Sequence, residues 1–290
     1  MTLGEEGLEP VAESAPEFSI VIPTFDRPDL LAETVRSVQA QTIEDWECIV
    51  VDDCGTLPVG PFDDPRVRVV RREVNGGAAA SVNTGVHHAA GRFLTMLADD
   101  DLWTPDRLEL AREGLARAPL ATCAARYLDE PEGPVGSGPE GDVSDTILDA
   151  NPPTMGVVAI ERHCWVDVRE DYRTMEDVEW WLRVAQTCEV AWVPKVGYLV
   201  RRHDGIRHRS GELQRLHDNR RFMDEFAVWL GAHPRAKAYR LRRLASYAWL
   251  CGERREALGA LVRSLLLHPA PGTARQLLRT AFRSPGRGPT

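Results

Sequence analysis

Apolar positions along the first two hundred residues keep two different periods. Phe18–Pro23, Trp46–Val51, Val67–Val70 and Arg92–Leu97 are short runs rich in β-branched and aromatic residues, and each predicts a strand. Between them, Leu30, Leu31, Val35 and Val38 fall on one face of a helix opened by Pro28. The small-residue run after Asn75-Gly76-Gly77 predicts a second helix ending near Ala90, and Thr104-Pro105 reads as N-cap and first residue of a third. Ile49-Val50-Val51 is apolar at consecutive positions, as expected of a strand covered on both faces in a parallel sheet. The alternation of strand and helix predicts an α/β layered sheet with right-handed crossovers.

Farther along, Asp129 to Pro153 is rich in Gly, Pro, Asp and Glu and reads as a long mobile loop. Met155–Ile160 returns as a strand, Met175 to Arg183 lies in a helix, and Val190–Val193 and Tyr198–Arg202 are two further short strands. Beyond Ser210 the pattern is helical. Ala245, Ala248, Gly252, Ala257, Leu261, Leu265 and Pro269 outline a helix-turn-helix like one tetratricopeptide unit, but a single copy makes no solenoid. Residues 1–16 read as a disordered lead, 17–209 as the main α/β region and 210–290 as a C-terminal helical region.

The polar residues at the strand ends turn this fold reading into a functional one. Pro23-Thr24, Asp52-Asp53 and Asp99-Asp100-Asp101 each follow an apolar strand, and in an open α/β sheet ligands bind beyond the carboxyl ends of the strands. Three adjacent carboxylates repel one another, so a hard divalent cation carrying a phosphate is a natural occupant. Each motif alone is equally well a polar turn. Their convergence on one rim favours a nucleotide-type site.

Composition excludes several alternatives. With 43% hydrophobic and 27% charged residues the 290-residue chain is an ordinary globular protein, without an apolar run of membrane-spanning length or a basic-then-apolar leader, which leads us to expect a cytoplasmic location. Six scattered cysteines with no CxxC pair read as reduced core thiols. The net charge of −9 is uneven: residues 1–200 hold 16 Lys and Arg against 37 Asp and Glu, whereas residues 201–290 hold 19 against 7. The acidic portion repels nucleic acid, and no base-stacking aromatic series accompanies the arginines. The basic C-terminal helices read first as a solvated surface, with a homodimer contact or peripheral membrane contact as alternatives.

Taken in order, these motifs resemble glycosyltransferase family 2. Phe18 to Pro28 is similar to the family's opening strand and turn, Ser37 to Thr42 to its first helix end, and Val50-Val51-Asp52-Asp53 to its nucleotide-binding strand end. Asn75-Gly76-Gly77 with Asn83-Thr84-Gly85, the acidic triplet and Glu176-Asp177 follow in family order, over residues 18 to about 205. The resemblance implies a GT-A-type, Rossmann-like mixed sheet flanked by helices, with a nucleotide-binding half (17–103) and an acceptor half (104–209) ahead of the C-terminal helices. Aligned on Trp103 and Pro105, the family's Asp-x-Asp falls on Ala98-Asp99-Asp100, so its first aspartate is alanine here.

The implied chemistry is inverting, metal-dependent transfer of a sugar from a nucleoside-diphosphate donor, a uridine one by preference, to an acceptor hydroxyl on a glycan, lipid-linked carrier, natural product or peptide. By resemblance Pro23, Thr24, Asp26, Asp53, Asn75, Gly77, Asn83 and Asp99 face the nucleotide sugar, with Asp53 on the nucleobase. Asp100, Asp101 and His203 are the candidate ligands for Mg²⁺ or Mn²⁺, and Arg201 or Arg202 pairs with phosphate. Asp177 is the candidate base, with Trp180 and Trp181 either desolvating its carboxylate or stacking on a sugar. A capping role for Glu176-Asp177 at a helix start stands beside this reading. Two other classes remain: a nucleotidyltransferase, which lacks here its glycine-rich basic loop after the first strand, and a non-catalytic sugar-nucleotide binder.

Overall fold

The computed structural model describes residues 15–130, 135–202 and 211–282. The expected N-terminal lead and His203 fall outside these ranges, apart from the lead's last two residues. The chain divides into two units. The first takes the described residues up to Val143, Pro153–Glu170 and the stretch from Arg183 through the last strand; the second takes Ser144–Pro152, Asp171–Leu182 and the C-terminal helices. Besides the helices beyond residue 210, the second unit takes in two segments from the middle of the chain.

The first unit is built on one eight-stranded sheet: β1 (Phe18–Thr24), β2 (Trp46–Asp52), β3 (Val67–Arg71), β4 (Phe93–Met96), β5 (Leu102–Trp103), β6 (Leu120–Tyr127), β7 (Val158–Glu161) and β8 (Val190–Val200). Their spatial order is β3-β2-β1-β4-β7-β6-β8-β5. β1, β2, β3 and β4 run parallel, β7 is antiparallel to both β4 and β6, β6 is parallel to β8, and β5 is antiparallel to β8. Helices α1 (Pro28–Gln39), α2 (Gly77–His88) and α3 (Arg107–Leu115) belong to this unit. Leu31, Val35 and Val38 bury one face of α1 against Ile20, Ile22 and Val50. Gly85 lets α2 approach the sheet closely, since a Cβ there would lie 2.3 Å from Val21.

Several boundaries differ from the sequence reading. α3 begins at Arg107 rather than Pro105, because Leu102-Trp103 pairs with β8 and the Thr104 hydroxyl donates to Asp106 instead of to a helix amide. The two short strands after 190 are one strand, β8, whose register against β6 shifts around Ala124. β6 escaped notice because its Leu-Ala-Thr-Cys-Ala-Ala run has a weak apolar signal. Cys164 and Cys188 form a disulfide with Cα atoms 6.5 Å apart, which corrects the expectation of six reduced thiols. They lie beside β7 and β8, a proximity that sequence spacing does not reveal.

The second unit contains α5 (Glu212–Glu225), α6 (Ala227–Ala232), α7 (Pro234–Leu250), α8 (Arg254–Leu267) and α9 (Pro271–Phe282), while α4 (Glu176–Val184) straddles the division. Leu241, Leu244, Ala245 and Ala248 of α7 meet Ala257, Ala260 and Leu261 of α8 around Leu216. The small residues that outlined the helix-turn-helix therefore form its contact. Among the described residues no helix is long and apolar enough to cross a membrane.

Candidate active site

The carboxyl ends of β1, β2 and β4 are joined by hydrogen bonds. The Asp53 N–H donates to the Thr24 carbonyl (3.0 Å), and the Thr24 hydroxyl donates to Asp99 Oδ2 (2.9 Å). Arg27, in the turn after β1, reaches Asp99 Oδ1 at 3.2 Å and Asp100 Oδ2 at 2.9 Å. Pro23 lies on the same strand end, in register with Val51. Three separate strand ends thus share one polar rim.

The three acids of the triplet have different surroundings although all are buried. Burial raises the Asp99 carboxyl above its ordinary range, opposed by the Thr24 hydroxyl and the Arg27 charge. Asp101 accepts from the Tyr198 hydroxyl (2.9 Å) through Oδ2 and from the Arg201 N–H (2.7 Å) through Oδ1. Burial, then the Asp101 charge, raises the Tyr198 phenol well above its usual value, so it stays a donor. Asp100 meets the partly exposed Arg27 side chain. Thr34, a polar residue within the apolar face of α1, lies 3.1 Å from the Asp99 carbonyl and 2.9 Å from the Asp101 carbonyl and fixes the turn.

The other expected residues make hydrogen bonds within the protein. Asp53 accepts from the Gly76 N–H (2.9 Å) and the Gly77 N–H (2.7 Å), and Arg72 lies 3.0 Å away, so its carboxylate caps α2. Gly77 adopts φ +84°, which glycine tolerates, and this turns its amide to Asp53. Asn75 donates to the Asp53 carbonyl, and Asp26, at φ +53°, accepts from the Thr56 and Leu57 amides. The Asn83 amide both donates to and accepts from the Val168 backbone and also donates to Glu170. Arg201 and Arg202 engage Glu33 and the pair Asp129 and Glu130, so both guanidiniums expected on phosphate already meet carboxylates.

Asp177 belongs to the second unit. It accepts from the Val178 N–H at 2.7 Å. The preceding turn is braced by buried Asp218 of α5, which accepts from the Arg173 N–H (3.1 Å) and the Thr174 hydroxyl (2.9 Å). Burial, with the neighbouring Asp177 charge second, raises the Glu176 carboxyl to about 7, and its Oε2 is buried without a hydrogen-bond partner. Trp180 and Trp181 pack edge to face with centroids 5.5 Å apart and are fully buried. Neither ring has a face open to a sugar, which corrects the stacking alternative.

Sequence reading missed Arg27, Thr34, Tyr198 and Asp218. Only Thr34 carried a signal, as a hydroxyl inside an apolar helix face.

Residues 19–141 match the family model of Glycosyl transferase family 2. The mixed sheet is of the GT-A type. Over 96 residues the chain is 33% identical to the UDP-Glc:alpha-D-GlcNAc-diphosphoundecaprenol beta-1,3-glucosyltransferase WfgD of Escherichia coli, a match covering 32% of this chain and 38% of that protein. It spans well under half the length of the curated relatives it matches. Among solved structures, S. aureus TarS 1-349 in complex with UDP-GlcNAc superposes with a TM-score of 0.62 at 16% identity, covering 90% of this chain and 83% of that one. The mannosyltransferase PcManGT from Pyrobaculum calidifontis in complex with GDP-Man and Mn2+ gives 0.57 at 18% identity, covering 94% and 82%. At these identities the superpositions speak for the fold alone.

Proposed function

We propose that this protein is an inverting glycosyltransferase that moves a sugar from a nucleoside-diphosphate donor, a uridine one by preference, to an acceptor hydroxyl. The observation that carries this reading is the hydrogen-bonded rim of Thr24, Asp53, Asp99 and Asp100 at three parallel strand ends. The glycosyltransferase relative and the UDP-GlcNAc and GDP-Man complexes of similarly folded proteins support it.

We assign a divalent cation to one carboxylate of the triplet, since among the described residues no three His, Cys, Asp or Glu side chains gather into a ligand cluster. Asp101 has both oxygens engaged by Tyr198 and Arg201 and serves as a brace, whereas Asp100 faces a side chain that can swing aside. Mg²⁺ or Mn²⁺ held by Asp100 would supply Lewis-acid stabilisation of the diphosphate leaving group. Arg27 adds a positive charge beside the same carboxylates. Asp99, held by Thr24, orients that turn. Asp177 takes the proton of the acceptor hydroxyl, and Asp218 holds the turn that leads to it.

Thermal shift of the full chain with a panel of nucleotide sugars, with and without Mn²⁺, tests the reading, because a ligand that binds only the folded state raises the melting temperature. A uridine-diphosphate sugar is expected to stabilise the protein more with Mn²⁺ than without. No shift with any nucleotide sugar overturns the proposal.

A further inference from the structure

The second unit holds a cavity of about 320 Å³, walled by α7, the end of α8, the start of α9 and Asp149. Arg235, Tyr239 and Arg242 line it from α7 at helical spacing, and His268 and Thr273 close the other side. Arg220 and Arg221 on α5 pair with Glu253, Glu256 and Asp171. Arg235 and Arg242, by contrast, have no ion pair among the described residues, so the wall carries two guanidiniums against the single carboxylate of Asp149.

Two further features define what the wall accepts. Thr273 is fully buried, and its hydroxyl has no hydrogen-bond partner. A buried hydroxyl left unbonded is rare enough to mark a place where a partner belongs. Thr273 is also the third residue of α9, a twelve-residue helix that begins at Pro271. Its first turn leaves the Gly272 and Thr273 amides without intrahelical acceptors, and nothing lies within 4 Å of where a Gly272 side chain would start.

We propose that this cavity binds a phosphate-bearing ligand, with Arg235 and Arg242 on its charged oxygens and the Thr273 hydroxyl and the first amides of α9 on the remainder. Guanidinium forks, a helix N-terminus and a hydroxyl together match a tetrahedral oxyanion with three or more acceptor oxygens. The space exceeds one phosphate. The Tyr239 ring and Ala238 leave room for the organic group that a phosphate ester or diphosphate carries. The site stands on residues of the second unit only and is separate from donor binding.

Inorganic pyrophosphate titrated calorimetrically into the full chain tests the proposal. The wild type is expected to bind it, with affinity weakened about tenfold or more in the R235Q/R242Q double variant. A smaller weakening is expected in Thr273→Val, whose removal of one hydroxyl spares both charges. Repeating the titrations in an Arg27→Gln background removes the share of any pyrophosphate bound at the rim of the first unit, and the loss in R235Q/R242Q is expected to persist there. Circular dichroism and melting temperature establish that each variant is folded, and Thr273→Val keeps the test open if the double variant is not. Co-sedimentation with phosphatidylcholine vesicles containing phosphatidic acid identifies a lipid headgroup if binding is lost in the same variants; pyrophosphate binding without vesicle binding identifies a soluble ligand. Absence of pyrophosphate binding, or binding that survives in R235Q/R242Q and Thr273→Val, overturns the proposal.

Discussion

Arg27 Nη1 lies 2.9 Å from Asp100 Oδ2 and 3.2 Å from Asp99 Oδ1, so one guanidinium bridges two of the three acids in the turn after β4. That charge relieves the repulsion that makes an acidic triplet costly, and it occupies the carboxylate proposed to hold a cation. Arg27 and the cation therefore compete. Arg27→Gln is expected to lower the Mn²⁺ concentration needed for half-maximal donor binding while weakening donor binding in the absence of metal. Calorimetric titrations at several Mn²⁺ concentrations check this, and an unchanged Mn²⁺ requirement argues that Arg27 and the metal do not share Asp100.

Asp100 and Asp101, adjacent in sequence, are expected to fail in different ways. Asp101→Ala strands the buried Tyr198 hydroxyl and the Arg201 N–H, which costs about 1–3 kcal/mol for an unsatisfied buried donor. Asp100→Ala removes a buried carboxylate whose ion-pair partner Arg27 is partly exposed and can turn to water, so it is expected to cost less stability than Asp101→Ala while abolishing the metal effect on donor binding. Urea unfolding alongside donor titration separates the two. A stable Asp101→Ala protein that has lost metal-dependent binding would reverse the assignment.

The strand ends were legible because apolar runs stop abruptly at Thr24, Asp52 and Asp99, and a parallel sheet sends such ends to one edge. What each side chain does there was not legible. Asp53 reads as a ligand-facing acid, but its carboxylate is taken up by the Gly76 and Gly77 amides, a bond across more than twenty residues that no local pattern encodes. The bonds of Asn83 are illegible for the same reason, since its partner Val168 lies 85 residues away. Trp180 and Trp181 look like a sugar platform because aromatic pairs beside acids can be either core or site, and only burial decides. The Cys164–Cys188 pair depends likewise on tertiary proximity.

Glu176 makes the stability of the second unit depend on pH. Its folded carboxyl is raised to about 7 from an ordinary value of 4.5, so the folded state binds this proton more tightly than the unfolded chain. The contribution is present in full below about pH 4.5 and is lost as pH rises through about 7, a difference on the order of 3 kcal/mol for this shift. Glu176→Gln, which cannot ionise, is expected to match the wild type near pH 4.5 and to exceed it above pH 8 by up to that amount. Chemical denaturation at both pH values checks the sign, and an equal difference at the two would dismiss titration of Glu176 as the cause.

Asp177→Asn tests the proposed base while changing little else. The amide keeps the side-chain oxygen that accepts from the Val178 N–H, so the helix start is expected to survive, but it has no carboxylate to take a proton. Loss of a general base slows transfer by about 10²–10⁴-fold. Donor affinity, read by calorimetry, is expected to stay within about twofold of wild type, because base removal acts on the transition state rather than on ground-state binding. Rates measured as nucleoside-diphosphate release in the presence of a working acceptor complete the comparison. If Asp177→Asn transfers at the wild-type rate, Glu176 is the next group to examine: its carboxyl titrates near pH 7, and a rate that rises through that pH in wild type but not in Glu176→Gln would move the proton transfer to it.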